Sequence, residues 1–324
     1  MKKMKSTGVY GGVYDEAPFY TFFKCFTVRL LRLPAIRCIG SIFYNFFFRQ
    51  YLAAWLPGRV PVSSVDHPLD KKIPFVPAWV TIYLDFVFFW IRMLAFLLHR
   101  YGRASHYAVK EFINSMNRLY AFAAETYRRN FSTTRRPFYI ARPRFFLIHL
   151  VDPHLMCIPS LHVMIVVHTW LHFSAILRSL GEDDTCAAQI EEMKQGALAI
   201  SRAILYVKQH SVNCISAALY ALCCFEGDMF PPQEAEAFAS LLFSENESGG
   251  CVVNHTNRRN GKQANAEVRP SASPSTRLPQ KDAAEITAYI ISLFRRFISE
   301  RKAASAMPPV SGWEEPLLRF MRQI

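Results

Sequence analysis

The chain has 324 residues, 51% of them hydrophobic and 14% aromatic, with only 19% charged and a formal net charge of +13. Apolar tracts at 17–56, 73–99, 138–180 and 195–225 are more than two soluble domains keep out of water, which argues against a soluble protein. The cations gather at the ends of these tracts, where headgroup anchoring and the positive-inside bias place them, so the basic balance marks topology and a phosphate site, and no nucleic-acid partner is expected.

Residues 1–33 begin with a basic stretch, Met1 to Lys5, and then mix Phe, Tyr and Leu with Lys24, Arg29 and Arg32, the pattern of an N-terminal interfacial segment. A first span is expected at 34–56. After a loop from Pro57 to Lys72, Ile73-Pro-Phe-Val-Pro77 opens the clearest transmembrane run, which extends to Leu98. Asp85 and Arg92 inside it are seven apart and share a helical face, so they should turn into the bundle as structural ion-pair partners between helices, with the charged pathway of a transporter as the functional alternative. Residues 106–127 form a weaker helix. A basic loop with Arg128, Arg129, Arg135, Arg136, Arg142 and Arg144 follows, then Phe145 to Val151, a helix at 159–178 and two short helices at 190–208 and 211–225.

From Glu226 the composition turns to Pro, Ser, Asn, Glu and Gly, so 226–280 is expected to be a disordered linker. Region 281–324 is expected to hold an amphipathic helix at 282–303, with Ile286, Ile290, Leu293 and Phe297 on one side, that docks on the membrane surface or on a partner. A chain ending near residue 230 should therefore insert and work unaided. The fold expectation is all-α: a multi-pass transmembrane helical bundle of about six spans over 34–225, with a largely disordered C-terminal tail. The eight cysteines contain no CxxC pair and behave as small buried hydrophobes, so neither a disulfide framework nor a zinc site is implied.

Three constellations carry chemistry. Pro159-Ser160-Leu161-His162 stands where a polar approach (Asp152, Pro153, His154) turns into an apolar helix. A helix starting there aims free N–H groups and its positive end outward, beside a hydroxyl and an imidazole, which makes an anion site with a proton donor. Lys208-Gln209-His210 closes one helix just before another starts, so His162 and His210 should emerge at the same face. One neutral imidazole can attack phosphorus while a second, protonated one gives its proton to the departing alkoxide. The third is the arginine loop, with Arg-Pro at Arg136-Pro137 and Arg142-Pro143, each with an Arg seven residues upstream, Arg129 and Arg135. Guanidinium forks suit phosphoryl oxygens, although a basic loop touching anionic headgroups explains the same charge. His168 and His172 are four apart, a two-His metal spacing, but no carboxylate accompanies them in the string; they are read as bundle packing, and no metal or cofactor is expected.

In order, basic-x6-Arg-Pro, Pro-Ser-Leu-His and a distal His closing a helix resemble the type-2 phosphatidic acid phosphatase superfamily. Ala141-Arg-Pro-Arg, the stretch Asp152 to Val163 and Lys208-Gln-His210 look most like its Pro-Ser-Leu-His branch, that of inositol phosphorylceramide synthase-like phosphotransferases. The resemblance implies an integral membrane lipid phosphatase or phosphotransferase working through phosphohistidine, at the extracytoplasmic face of a cell (inner) membrane. Carried over by position, it makes His210 the nucleophile, His162 the proton donor, and Ser160, Arg142 and Arg135 the phosphate binders, with Arg136 and Arg129 as the competing register. The family's orienting Asp, four residues after the distal His, is here Cys214, which supports an alternative: a catalytically silent member that binds lipid phosphate or serves as a membrane scaffold.

Overall fold

The computed structural model describes residues 11–56, 58–59, 62–127, 131–244 and 278–305, and over these the chain is mostly helical. The helices are α1 (Pro18–Thr27), α2 (Arg29–Ile42), α3 (Arg49–Trp55), α4 (Val80–Leu84), α5 (Phe86–Tyr101), α6 (His106–Tyr127), α7 (Pro143–Val151), α8 (Leu161–Ser179), α9 (Ala187–Tyr206), α10 (Val212–Phe225), α11 (Pro232–Leu241) and α12 (Gln280–Ser305). Two three-residue strands, β1 (Val62–Ser64) and β2 (Phe131–Thr133), pair in parallel with Val62 opposite Phe131.

At the centre stand α8 and α10, with Val163 to Val167 and Ala217 to Leu222 fully buried. α9 packs along α8 and meets the N-terminal segment at Gly196, where a side chain would collide with Tyr14 and Phe89. α2 lies on α6, and α12 lies on α10.

Among the described residues, two helical stretches are long and apolar enough to cross a membrane, Pro77–Tyr127 and Leu161–Ser179, with Val212–Phe225 shorter. That is fewer than the sequence pattern suggested. The expected span at 34–56 is helical through α2, a π-helical turn at Phe43–Phe48 and α3, but Arg37, Asn45, Arg49 and Gln50 dilute its apolar run, and α9 carries Glu191, Glu192, Lys194 and Arg202. The run from Pro77 breaks at Asp85, which ends α4 and starts α5, and again at Gly102, whose φ of 52° ends α5 in a conformation glycine adopts freely.

Asp85 and Arg92 bond to each other, with Nη1 and Nη2 each 2.8 Å from a carboxylate oxygen, and the guanidinium lies 5.1 Å from the Tyr14 ring. A buried bidentate pair that satisfies both charges is a structural device and leaves the transporter reading without a free charge here.

The C-terminal expectations need correction. Inside the stretch expected to be a disordered linker, Phe230, Ala235, Phe238 and Leu242 are buried and α11 is formed; residues 245–277 lie outside the described residues. The apolar positions of 230–242 are outnumbered by the polar residues of the rest of 226–280, so composition alone does not reveal this helix. α12 docks neither on a membrane nor on a partner through its apolar face. Ile286, Ile290, Leu293, Phe294 and Phe297 are buried in the chain's own core, Ser216 Oγ donates to the Ile290 carbonyl (3.0 Å), and Arg295 grips Glu236 of α11. Residues 230–242 and α12 are thus part of the folded body.

Candidate active site

Residues 152–160 reach α8 along β2. Ser132 N donates to the Leu155 carbonyl (3.0 Å), Cys157 N to the Ser132 carbonyl (3.2 Å) and Ile158 N to Ser132 Oγ (2.8 Å). The Tyr127 hydroxyl, at the end of α6, donates to the Pro159 carbonyl, and the Ile158–Pro159 bond is cis. Ser160 is the N-cap of α8, and its buried hydroxyl makes no hydrogen bond of its own. It stands beside the free N–H groups of the first helical turn, so one helix end presents donors and a hydroxyl together. The His162 ring, two residues on, is held against Tyr83 (centroids 4.6 Å apart) and Phe86 (4.2 Å).

His210 is set by a tight reversal between α9 and α10. Gln209 N and His210 N both donate to the Ile204 carbonyl (3.0 and 3.2 Å), and Lys208 takes a φ of 56°. Such a non-glycine conformation costs on the order of 1–3 kcal/mol and persists only where its surroundings fix it. Here Lys208 Nζ donates to the Asp70 and Ile73 carbonyls, and Asp70 Oδ1 accepts from Val212 N (2.9 Å), capping α10. A second such residue, His154 (φ 61°), lies on the opposite side of the site, its ring 6.4 Å from that of His210.

These two corners bring His210 Nε2 within 3.2 Å of His162 Nδ1, although 48 residues separate them. Burial, then the His162 and His154 imidazoles, push the His210 pKa well below its ordinary value, so this ring is neutral at neutral pH. Beside it Arg136 donates to Gln209 Oε1 (3.2 Å) and to the Asp152 carbonyl (2.9 Å), with its Nη1 3.7 Å from Asp152 Oδ2. Burial acts to raise the Asp152 pKa, but the His154 side chain and Arg136 outweigh it and hold the carboxyl at about 2. The arrangement offers a neutral nucleophile, a neighbouring imidazole, an unbonded hydroxyl at a helix N-terminus and a guanidinium, which are the parts a phosphoryl group needs.

The arginines separate. Arg136 is in the site; Arg135 is exposed and contributes its backbone N–H to Asp66 Oδ1 (2.9 Å); Arg142 is exposed as the N-cap of α7. Arg129 lies outside the described residues. Cys214 is fully buried on the first turn of α10, and His210 Nδ1, the atom an orienting carboxylate would serve, is buried without a hydrogen bond. Asp152 does not fill that role, being committed to Arg136 and His154.

His154 and Gln209 are visible in the sequence only as neighbours of the motifs, and Asp70 carries no signal, because its role depends on a turn 142 residues distant folding onto the start of α10. The carboxylate absent from the string around His168 and His172 comes from Glu226, at the far end of α10. Comparison with protein-family models, with curated proteins and with solved structures finds no match for this chain.

Proposed function

We propose that the protein is a multi-pass membrane enzyme that hydrolyses or transfers the phosphate of a lipid through a phosphohistidine. The observation that carries this reading is the 3.2 Å approach of two imidazoles from distant corners, next to Arg136 and the unbonded Ser160 hydroxyl. Support for a bilayer comes from the surface. Phe19, Phe23, Leu33, Phe43, Phe48 and Trp55 on the N-terminal helices are exposed, as are Phe146, Leu147 and Leu150 on α7, large apolar side chains of the kind a lipid-facing surface carries. A substrate held by its acyl chains in the membrane would present its headgroup phosphate to the histidines.

His210 Nε2 attacks phosphorus, the P–O bond to the lipid alkoxide breaks, and His162, which takes up a proton as the anionic phosphate enters beside it, gives that proton to the leaving oxygen. Arg136 and Ser160 hold the non-bridging oxygens as charge develops, and water or another lipid's hydroxyl then takes the phosphoryl group from His210. The direct contact between the two rings must open for phosphate to enter between them.

A second reading, a silent member that binds lipid phosphate, is favoured by one observation: the unpartnered Nδ1 of His210. Purified protein in liposomes, assayed for phosphate release over a panel of lipid phosphates with and without alcohol acceptors, separates the two. Turnover abolished by His210→Ala, with an acid-labile phosphoryl adduct on the wild type, supports the enzyme. Saturable binding without release supports the binder.

A further inference from the structure

About 15 Å along α8 from His162, at the helical rise of 1.5 Å per residue, His172 and, one turn earlier, His168 turn the same face toward α10. Glu226, directly after α10, comes between them: its Oε1 is 2.7 Å from His168 Nδ1 and 3.2 Å from His172 Nε2. One ligand atom from each of the three residues lies within 4.8 Å of the others. From these contacts we propose that His168, His172 and Glu226 form a binding site for a divalent transition metal of the Zn²⁺ class, which fastens the end of α10 to the middle of α8.

Three features favour a metal over a plain ion pair. His168 is fully buried with Glu226 Oε1 as the close polar neighbour of its Nδ1 (2.7 Å), while its Nε2 makes no hydrogen bond. A buried ring nitrogen without a partner is unfavourable, and a metal bond satisfies it. Ligand atoms some 2.0–2.2 Å from a common Zn²⁺ stand closer to one another than the 4.8 Å found here, so small rotations of His172 and Glu226, both part-buried, complete the site. The donor set of two imidazoles and one carboxylate suits Zn²⁺, Ni²⁺ or Cu²⁺ and not Mg²⁺ or Ca²⁺, which take oxygen.

The surroundings argue for structure over hydrolysis. Rings of Phe112 (5.5 Å from His168) and Phe225 (5.9 Å) wall the cluster, and Arg118 of α6 acts on it as an opposing positive charge. The intervening Thr169-Trp170-Leu171 lacks the glutamate that follows the first His in helical zinc hydrolases and serves as their base. Three protein ligands leave the fourth position to water, the coordination also used by catalytic zinc, so the missing base is what separates this site from a hydrolase.

The test uses the full chain in detergent, stripped with a chelator and titrated with Co²⁺ as a spectroscopic probe and with Zn²⁺ by calorimetry. One metal per chain is expected, with ligand-field bands free of thiolate charge transfer and a thermal transition raised by Zn²⁺. His172→Gln and Glu226→Gln, made singly so that buried His168 stays, should each weaken binding by more than the roughly 10–100-fold that loss of an outer-shell partner costs, with helical circular dichroism unchanged. Equal Co²⁺ binding by wild type and the His172→Gln/Glu226→Gln double variant overturns the proposal, as do thiolate bands, which would place the metal on cysteines, or a preference for Mg²⁺.

Discussion

Replacing Cys214 by Asp tests the missing carboxylate directly. Cys214 lies on the first turn of α10, four residues after His210, whose Nδ1 is buried without a partner. Asp is close to Cys in volume, and a carboxylate there would hold the ring in one tautomer and stabilise the positive charge it acquires on attacking phosphorus. In a Ser-His-Asp triad loss of the orienting carboxylate costs about 10⁴ in rate, or roughly 5.4 kcal/mol. Two effects reduce the gain here. Burying a new charge carries a penalty of several kcal/mol unless its lone pairs are bonded, and Asp70 and Asp66 act on the same position with like charge. The net expectation is a rise of about 10–100-fold in phosphate release, equivalent to roughly 1.4–2.7 kcal/mol of barrier. Initial rates in mixed micelles would measure it, with Cys214→Ser as the size control and the His210→Ala/Cys214→Asp double variant as the blank. A folded Cys214→Asp protein that is inactive beside a fast wild type would refute the reasoning, because some other group would then already orient His210.

Phe297→Ala, which empties a fully buried ring position between α12 and Tyr220, should lower stability by about 3–5 kcal/mol, read as a drop in Tm; an unchanged Tm would mean that α12 is not part of the folded core. Asp85→Asn should cost roughly 3–5 kcal/mol because it leaves the Arg92 guanidinium buried without its charge partner, and Asp85→Leu with Arg92→Met should recover most of it in denaturant unfolding. For pH, His210 has a folded pKa below its unfolded value of about 6.5, so its contribution to stability is fully present above that value and is lost as pH falls from there toward the folded pKa. The acid limb of the rate profile should accordingly lie below pH 6.5, and a limb at or above it would show His210 exposed. Asp152, held at about 2, contributes stability above its unfolded value near 4 that disappears as pH falls through about 2; in Asp152→Asn that part of the acid unfolding should vanish.

Local pattern made most helices legible. The apolar period located α6, α8, α9, α10 and α12 to within a few residues, because each must bury a continuous face and the period is written in the residues themselves, whereas the single run expected from Ile73 to Leu98 is divided at Asp85 into α4 and α5. Pro159 and the polar approach before it marked the start of α8, and Lys208 to His210 marked the turn before α10, so the two histidines were identifiable from sequence. Whether they meet was not, since a 3.2 Å contact across 48 residues depends on how α8, α9 and α10 stack. The same stacking selected Arg136 over Arg142 and brought Asp70 to the start of α10. It also turned α12 inward. An amphipathic face looks the same in sequence whether it meets lipid, a partner or its own bundle, and only tertiary packing assigns what covers it. Glu226 is the clearest case. Fifty-four residues beyond His172, with no spacing rule to connect them, it reaches the two imidazoles only because α8 and α10 run side by side from the same end of the molecule.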